Sequence, residues 1–516
     1  MINLVRYFGL SLCVLLLIIP FNSSAQHRND NWAFGDSAGV SFVNLANPIT
    51  FSTVVKTRGS CASISDTNGN MLFYYAYTPH KSFTYFYDGE IYNKYGNIIG
   101  DTIVSDAWYN EGTITQYPNS PSQYYVFTIG VTGAFGLYYS IVDMSLNNGL
   151  GAVIQKNVQL LSYPANDGLI AVKHGNGRDW WVLFRRSAVL NDDYFLYLID
   201  PQGIHAQPVQ HIGALASTNI MNYAFNANGT QLAQASYGGL VELFDFDRCS
   251  GLLSNYKMIR PFNTAPPNPG FWSCEFSYNN RYLYISAGEQ TIYLIQLDLQ
   301  SANIWQSADT IYSDTTIIYG TGALKRGPDK KIYWSRTYYD SLLNGYPYPD
   351  TLFNIYNTHL SVINEPDSAG SKCNFTPYSF YLGGARTYLG LPNNPDYDLG
   401  RLYGSPCDTL QWTNLTPALS KGEGVMQITY ISAWEKLFIN ASGLKGKNVT
   451  VSIYDGKGSL KFEVRGLKSN AGYFTIDVNC AGGSPSGVGG ARWANGLYVV
   501  NFQTEVERLS KKFIKE

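Results

Sequence analysis

Charge is what this sequence has least of. Only 14% of its 516 residues are Asp, Glu, Lys or Arg, with 36 basic against 38 acidic side chains. Nucleic-acid binding needs Lys and Arg clustered on one face, so the composition argues against it. Histidine is scarce: of six, His80, His174, His205, His211 and His359 are scattered without His-x-x-x-His spacing, and there is no Cys-x-x-Cys, so no zinc site is indicated. The one Gly-x-Ser-x-Gly string, Gly35-Asp36-Ser37-Ala38-Gly39, lies between two expected strands rather than on a strand-to-helix elbow, and no carboxylate pair stands out, although pairs drawn from distant segments are invisible at this level. No metal or cofactor is implied.

Long apolar runs are absent after the first 25 residues, which leaves no candidate for a bilayer-spanning helix. Residues 1–25 combine Arg6, an apolar run from Leu10 to Ile19, Pro20 and the small residues Ser23-Ser24-Ala25, the pattern of a secretory signal cut after Ala25. Cys13 has no small residue before it, which argues against a lipoprotein site. The mature chain is expected to be exported and soluble, with a formal charge of −3. Residues 425–516 carry twelve Lys or Arg against seven Asp or Glu, so a basic tail follows a mildly acidic body. Of the six remaining cysteines, Cys373 with Cys407 and Cys249 with Cys274 are the disulfide pairs to test, while Cys61 and Cys274 also fit buried free thiols.

What is abundant is Tyr, at 41 residues, and Gly, at 49, a composition of short strands and turns. The stretch Cys61-Ala62-Ser63-Ile64-Ser65-Asp66-Thr67-Asn68-Gly69-Asn70-Met71-Leu72-Phe73-Tyr74-Tyr75 sets two apolar runs around an Asn-Gly turn, the signature of an antiparallel hairpin. The same grammar returns around Asn228-Gly229 and Asn279-Asn280. Aligning the first apolar pair after each turn gives Leu72, Tyr125, Trp181, Leu232, Leu283 and Ile332, at steps of 53, 56, 51, 51 and 49. A period near fifty in an alternating sequence predicts an all-β propeller of four-stranded blades, with a pair of unrelated sandwiches as the alternative.

Six repeats are complete. Blade one is expected at 61–65, 71–77, 83–92 and 98–104, and blade three ends on a strand at 205–212. Blade five ends on a strand at 304–307, and blade six resumes at 354–357 after a Tyr/Pro/Gly-rich insertion. Three strands within 31–55 lack a first strand, and 386–391 is a first strand with nothing after it; joined, they make a seventh, split blade. Closing the ring this way leaves no open sheet edge. Seven blades are expected, with six as the alternative. The propeller spans 26–407, a linker 408–424, and residues 425–516 form a small immunoglobulin-like β-sandwich with strands at 436–441, 449–455, 459–464, 473–478 and 496–502.

Two resemblances follow. The tail, with Val451-Ser452-Ile453-Tyr454-Asp455-Gly456-Lys457-Gly458, Asn495-Gly496-Leu497-Tyr498-Val499-Val500 and Lys511-Lys512-Phe513-Ile514-Lys515, resembles the type IX secretion C-terminal sorting domain of Bacteroidetes. The family's usual Pro-Asn-Pro opening is replaced by Thr429-Tyr430-Ile431-Ser432-Ala433-Trp434. The body, with Trp32-Ala33-Phe34-Gly35, the Cys61–Asn70 stretch, Tyr139-Ser140-Ile141-Val142-Asp143-Met144 and Val241-Glu242-Leu243-Phe244-Asp245-Phe246-Asp247, resembles secreted and surface propellers of the same bacteria. These resemblances imply export across the outer membrane through the type IX machinery, followed by release or surface attachment. They imply no reaction, since a fold hosts many functions.

Candidate ligand contacts lie in the connections that link one blade to the next and the second strand to the third, which share one propeller face. They are His80, Trp108, Tyr109, Glu111, Arg185, Trp272 and Tyr338. Aromatic loops with a few polar groups suit glycan or protein recognition, while the same rings equally suit packing between blades. Asp66-x-Asn68-x-Asn70 offers oxygens to calcium but fits turn chemistry better. Asp-(Ser/Thr)-apolar triplets such as Asp101-Thr102-Ile103 are similar to O-glycosylation sites of exported Bacteroidetes proteins, a weak motif. The expectation is a non-enzymatic surface propeller that binds a protein or glycan. Its rivals are a polysaccharide hydrolase or lyase and a structural or gliding component.

Overall fold

The computed structural model describes residues 27–78, 88–106, 108–131, 133–187, 189–217, 220–262, 270–288, 291–315, 319–338 and 348–408, and most strand residues between 426 and 515. The chain divides into two compact units, with the boundary between Arg401 and Leu402. His80 lies outside the described residues.

The first unit is built from seven small antiparallel sheets arranged as a seven-bladed β-propeller. Each blade from one to six begins with a first-to-second-strand hairpin, turned by Asn-Gly in blades one, three and four. In blade one, Cys61–Ser65 pairs with Met71–Tyr77, and the Asp66 carboxylate accepts the N–H groups of Asn68 and Asn70 at 2.8 and 2.9 Å. The second carboxylate oxygen accepts from the Asn70 side chain, and Gly69 supplies the positive φ of +81°. The Asp66 oxygens are thus committed to the turn. Asn226 does the same work in blade four through Thr230 and Gln231.

Burial explains the scarcity of charge. The inner strand Cys61–Ser65 is buried on both faces, whereas the outer strand Ile98–Ile103 is mostly exposed. Rings fill the seams between blades: Phe73 with Tyr124, Tyr194 with Phe244, Tyr312 with Trp334, and Trp32 with Tyr333, at centroid distances of 5.5, 5.5, 6.2 and 5.7 Å. Edge-on pairs of this kind add about 0.5–1.5 kcal/mol each beyond area burial, which gives the high Tyr content a structural use.

Four local expectations are corrected. In blade one the third strand is Gly89–Asn93, and 79–87 lie outside the described residues. In blade three the outer strand is split into Gly203–Ala206 and Gln210–Ala216, which flank Pro208, a residue with no N–H for the ladder. In blade five, Trp305–Ser307 is a 3-10 turn closed by the Ser307 hydroxyl on the Ile304 carbonyl, and the outer strand is Asp309–Asp314. In blade six, Asn354 caps the short helix Ile355–Thr358 in a reciprocal capping box with Asn357. Its last two strands are His359–Ile363 and Phe375–Tyr381.

The seventh sheet contains Asn31–Phe34, Asp36–Ser41 and Ile49–Lys56. Residues 386–391 close the ring, but not as a continuous ladder: they form a single bridge between Asp36 and Arg386. The Arg386 guanidinium grips the Asp36 carboxylate through two of its nitrogens. The segment instead ties neighbouring blades together, since the Leu389 carbonyl accepts from Ala323 and the Leu389 N–H donates to Arg58. Gly390 is required here, because a Cβ on it would lie 2.1 Å from the Gly59 carbonyl oxygen.

From there the chain enters the central channel and fills it. Asn393 donates to the carbonyls of Asn110 and Leu169, and its own carbonyl accepts from Thr113. Asn394 accepts the Ser63 N–H at 2.8 Å. The fully buried Tyr397 donates to the Ile114 carbonyl and packs edge-on against Trp180. The Gly400 carbonyl accepts from Arg248 of blade four at 2.6 Å. Residues 391–400 therefore plug the channel from one face to the other.

Cys249 and Cys407 are each disulfide-bonded, whereas Cys61, Cys274 and Cys373 are free and buried. This corrects both expected pairings, Cys373 with Cys407 and Cys249 with Cys274. Cys274 is held inside an inner strand and Cys373 inside a 3-10 turn, each packed within the core.

Among the described residues the second unit holds seven antiparallel strands in two sheets. One orders Met426–Ile431, Lys436–Ala441 and Tyr473–Asp477; the other orders Leu460–Lys468, Asn448–Asp455, Gly496–Gln503 and Arg508–Lys515. First, second and fifth strands thus make one sheet and fourth, third, sixth and seventh the other, the strand order of an immunoglobulin-like sandwich. Met426–Ile431 and Arg508–Lys515 are strands beyond those expected.

Candidate functional site

The two propeller faces differ. On the face expected to bind, Trp108 is 38% exposed, with the Arg58 guanidinium 4.8 Å from its ring centre. Tyr109 and Glu111 are buried, and the Tyr109 N–H donates to both Glu111 carboxylate oxygens at 2.8 and 2.7 Å. Burial, reinforced by Asp167 and Asp106, pushes the Glu111 carboxyl well above its usual range. Trp272 is half-buried and touches the Tyr109 ring at 5.9 Å and the Tyr237 ring at 5.5 Å. Tyr338 is half-buried and stacks on Tyr356. Arg185 is fully enclosed, pairing with Glu242 at 3.3 Å across the seam between blades three and four. The structure thus brings Tyr109, Glu111 and Trp272 together, and makes Arg185 a seam residue rather than a loop contact.

Asp167 belongs to this buried acidic group. Burial outweighs the hydrogen bond from the Met221 N–H and pushes its carboxyl up to about 8. An unfolded Asp titrates near about 3.9. The raised folded value means that stability is fully present below that pH. It is lost at about 1.4 kcal/mol per pH unit until the folded value is passed. Asp167→Asn retains the acceptor without the charge, so its stability advantage in urea unfolding should grow by about 4 kcal/mol between about pH 5 and pH 8. A gap that does not change with pH would show that Asp167 is ionised in the folded protein.

The opposite face, where first strand turns into second, carries a cavity of about 370 Å³ at the channel mouth. Turn residues Ala227, Tyr278 and Pro328 form its rim, Lys325 and Arg326 stand on the end of an inner strand, and Asn394, Asp396 and Asp398 are presented by the plug. The Lys325 ammonium donates to the Asn394 carbonyl at 2.5 Å, and burial lowers its pKa. Glu275 is neutralised in place by Arg326 at 3.1 Å, and the His27 ring nitrogen Nδ1 lies 2.7 Å from an Asp30 carboxylate oxygen. Asp396 and Asp398 keep much of their surface in solvent, and partial desolvation of the Asp398 carboxylate against the surrounding protein, together with the Asp396 charge, raises its pKa. The floor is closed by the plug, so the cavity can hold a ligand but not pass one through.

Sequence reasoning missed this site because Asn393-Asn394-Pro395-Asp396-Tyr397-Asp398 reads as ordinary turn chemistry. The only available signal was a rich set of acceptors after the last expected strand. Among the described residues, Asp192, Asp193 and His211 place ligand atoms within 4.8 Å of one another. Arg186 already sits 3.5 Å from Asp193 and His211 is mostly exposed, so an ion-pair cluster accounts for the group.

No protein-family model matches the chain, and no curated protein matches it. Solved structures that match in shape include a periplasmic gluconolactonase of Pseudomonas aeruginosa, at 11% identity and TM-score 0.34, covering 75% of this chain and 95% of that one. Another is a quinoprotein alcohol dehydrogenase-like protein of Bacteroides thetaiotaomicron, at 12% and 0.38, covering 71% and 79%. A third is apo AztD of Citrobacter koseri, at 10% and 0.30, covering 86% and 96%. Likeness at this level says nothing about activity.

Proposed function

We propose that this chain is an exported, surface-displayed β-propeller that recognises a saccharide without turning it over. The observation that carries the reading is the blind polar cavity at the channel mouth. Its volume falls in the range of ligand sites. Tyr278 offers a ring at the rim, and Asn394, Asp396 and Asp398 offer the acceptors that sugar hydroxyls require. The test is a glycan array with a parallel hydrolysis screen on the purified full chain. Tyr278→Ala, at a half-exposed ring, should weaken binding by about tenfold while leaving thermal unfolding almost unchanged. Binding that survives this change would move the site elsewhere.

A second reading is supported by the Asp396 and Asp398 pair. Two carboxylates, one with a raised pKa, are the acid and base equipment of glycoside hydrolysis. Release of reducing ends in the same screen, abolished in Asp398→Asn, would favour it over recognition.

We further propose that residues 425–516 are the address read by the type IX secretion machinery. The sandwich order of the second unit and the basic final strand support this reading. Deleting 425–516 in a Bacteroidetes host should leave the propeller in the periplasm, and surface delivery of the truncated chain would refute the assignment.

A further inference from the structure

The cavity at the channel mouth does not end at its rim. On the same face lies a second, open groove of about 470 Å³, lined by Ser41 and Val43 from blade seven, Asn70 and Tyr95 from blade one, and Gly149 from blade two. The two hollows share a border. Asp30 and Leu45 line the cavity, while Asn31 and Val43, next to them along the chain, line the groove. Gly69 of the blade-one turn stands at this border, where a Cβ would fall 3.1 Å from both an Asp30 carboxylate oxygen and a Val43 methyl. Glycine, at a φ of +81°, therefore keeps the border free of a side chain. Asn31 fixes it in place, donating to the Gly69 carbonyl at 2.6 Å and to the Ser65 hydroxyl at 2.9 Å.

Tyr95 is 69% exposed and sits in the turn between the third and fourth strands of blade one. Its turn is held at the root, because the Asn93 side-chain oxygen accepts the N–H groups of Tyr95 and Asn97 at 2.9 and 3.1 Å. A ring carried on a fixed turn can stack on a sugar with little ordering cost. Ser41, Asn70 and Lys94 place donors and acceptors for hydroxyls in the same groove. Tyr278 offers the corresponding ring at the channel mouth. A ligand confined to the cavity leaves Tyr95 unused, whereas a chain that crosses the Gly69 border meets both rings. We infer that cavity and groove are two parts of one cleft for a linear oligosaccharide, with Tyr278 holding units at the channel mouth and Tyr95 holding units beyond Gly69. This rests on the saccharide reading of the cavity and adds the length of the ligand.

The experiment is calorimetric titration of the full chain with cello-, malto-, xylo- and chito-oligosaccharides of two and of six units. In a series that binds, the six-unit chain is expected to bind at least about tenfold more tightly than the two-unit one. Tyr95→Ala, at a mostly exposed ring, should remove most of that gain, change two-unit binding by less than about twofold and leave thermal unfolding almost unchanged. Tyr278→Ala should weaken both lengths by about tenfold. Equal affinity for the two lengths overturns the inference. So does a gain with length that survives Tyr95→Ala, which reflects only the larger number of registers a long chain offers, and so does a Tyr95→Ala loss that is the same at both lengths. In each of these cases two-unit binding leaves saccharide recognition standing. Silence towards every series and across the glycan array overturns both readings.

Discussion

Arg386→Ala should lower the unfolding free energy by about 3–5 kcal/mol, the range for breaking a buried ion pair from one side. The side chains of Arg386 and Asp36 are only 5% and 10% exposed. Two guanidinium nitrogens bond one carboxylate oxygen, and a third donates to the carbonyls of Pro349 and Leu352 at 2.7 and 3.0 Å. The charge also lies 4.4 Å from the Phe353 ring centre. Removing it leaves Asp36 buried without its cation, while the backbone bonds of the Asp36–Arg386 bridge remain to hold the ends of the ring. Chemical denaturation followed by Trp fluorescence measures the loss, and hydrogen exchange should rise first in Asn31–Phe34 and Asp36–Ser41. Asp36→Ala with Arg386→Ala should cost less than the sum of the two changes, because the double variant leaves no orphaned charge. A loss below about 1 kcal/mol would show that the backbone bridge and the Leu389 bonds to Ala323 and Arg58 close the ring without the ion pair.

Tyr397→Ala should cost about 3–5 kcal/mol, as for other buried aromatic truncations, because it empties the middle of the plug. The ring is fully buried against Trp180, and its hydroxyl donates to the Ile114 carbonyl at 3.1 Å. Tyr397→Phe keeps the packing and should cost about 1 kcal/mol, the value of one buried hydrogen bond. The functional consequence separates the two. Asp396 and Asp398 flank Tyr397 on the same loop, so the Ala variant should lose saccharide binding while the Phe variant retains it. Equal binding by both variants would mean that the loop holds its shape through Asn393 and Asn394 alone.

The propeller was legible because its signal is local and repeated. Asn68-Gly69 and Asn228-Gly229 specify turns through the backbone freedom of their own residues, and alternating apolar pairs follow at a nearly constant step. Elements misread from sequence were those in which a short-range polar bond competes with strand pairing. Ser307 folds 304–307 into a turn, and Asn354 caps a helix where a strand was expected. Both bonds depend on side-chain reach rather than on apolar pattern, so alternation cannot reveal them.

The candidate site was far less legible. The aromatic loops chosen from sequence include Tyr109 and Trp272, which the structure brings into contact, and Arg185, which it encloses with Glu242. Whether a ring faces solvent or a neighbouring blade depends on residues about fifty positions away, and no local window contains them.

By itself the sequence determined the blade: hairpin turns and strand alternation, set by interactions between residues close along the chain and repeated at a nearly constant step. Only the tertiary structure decided how the ring closes, that residues 391–400 plug its channel, and that Lys325, Asp396 and Asp398 gather at one mouth. The physical reason is distance along the chain. Asn394 meets Ser63, Tyr397 meets Ile114 and Gly400 meets Arg248 across separations of 331, 283 and 152 residues. Such partners become neighbours only after seven blades have packed into a circle.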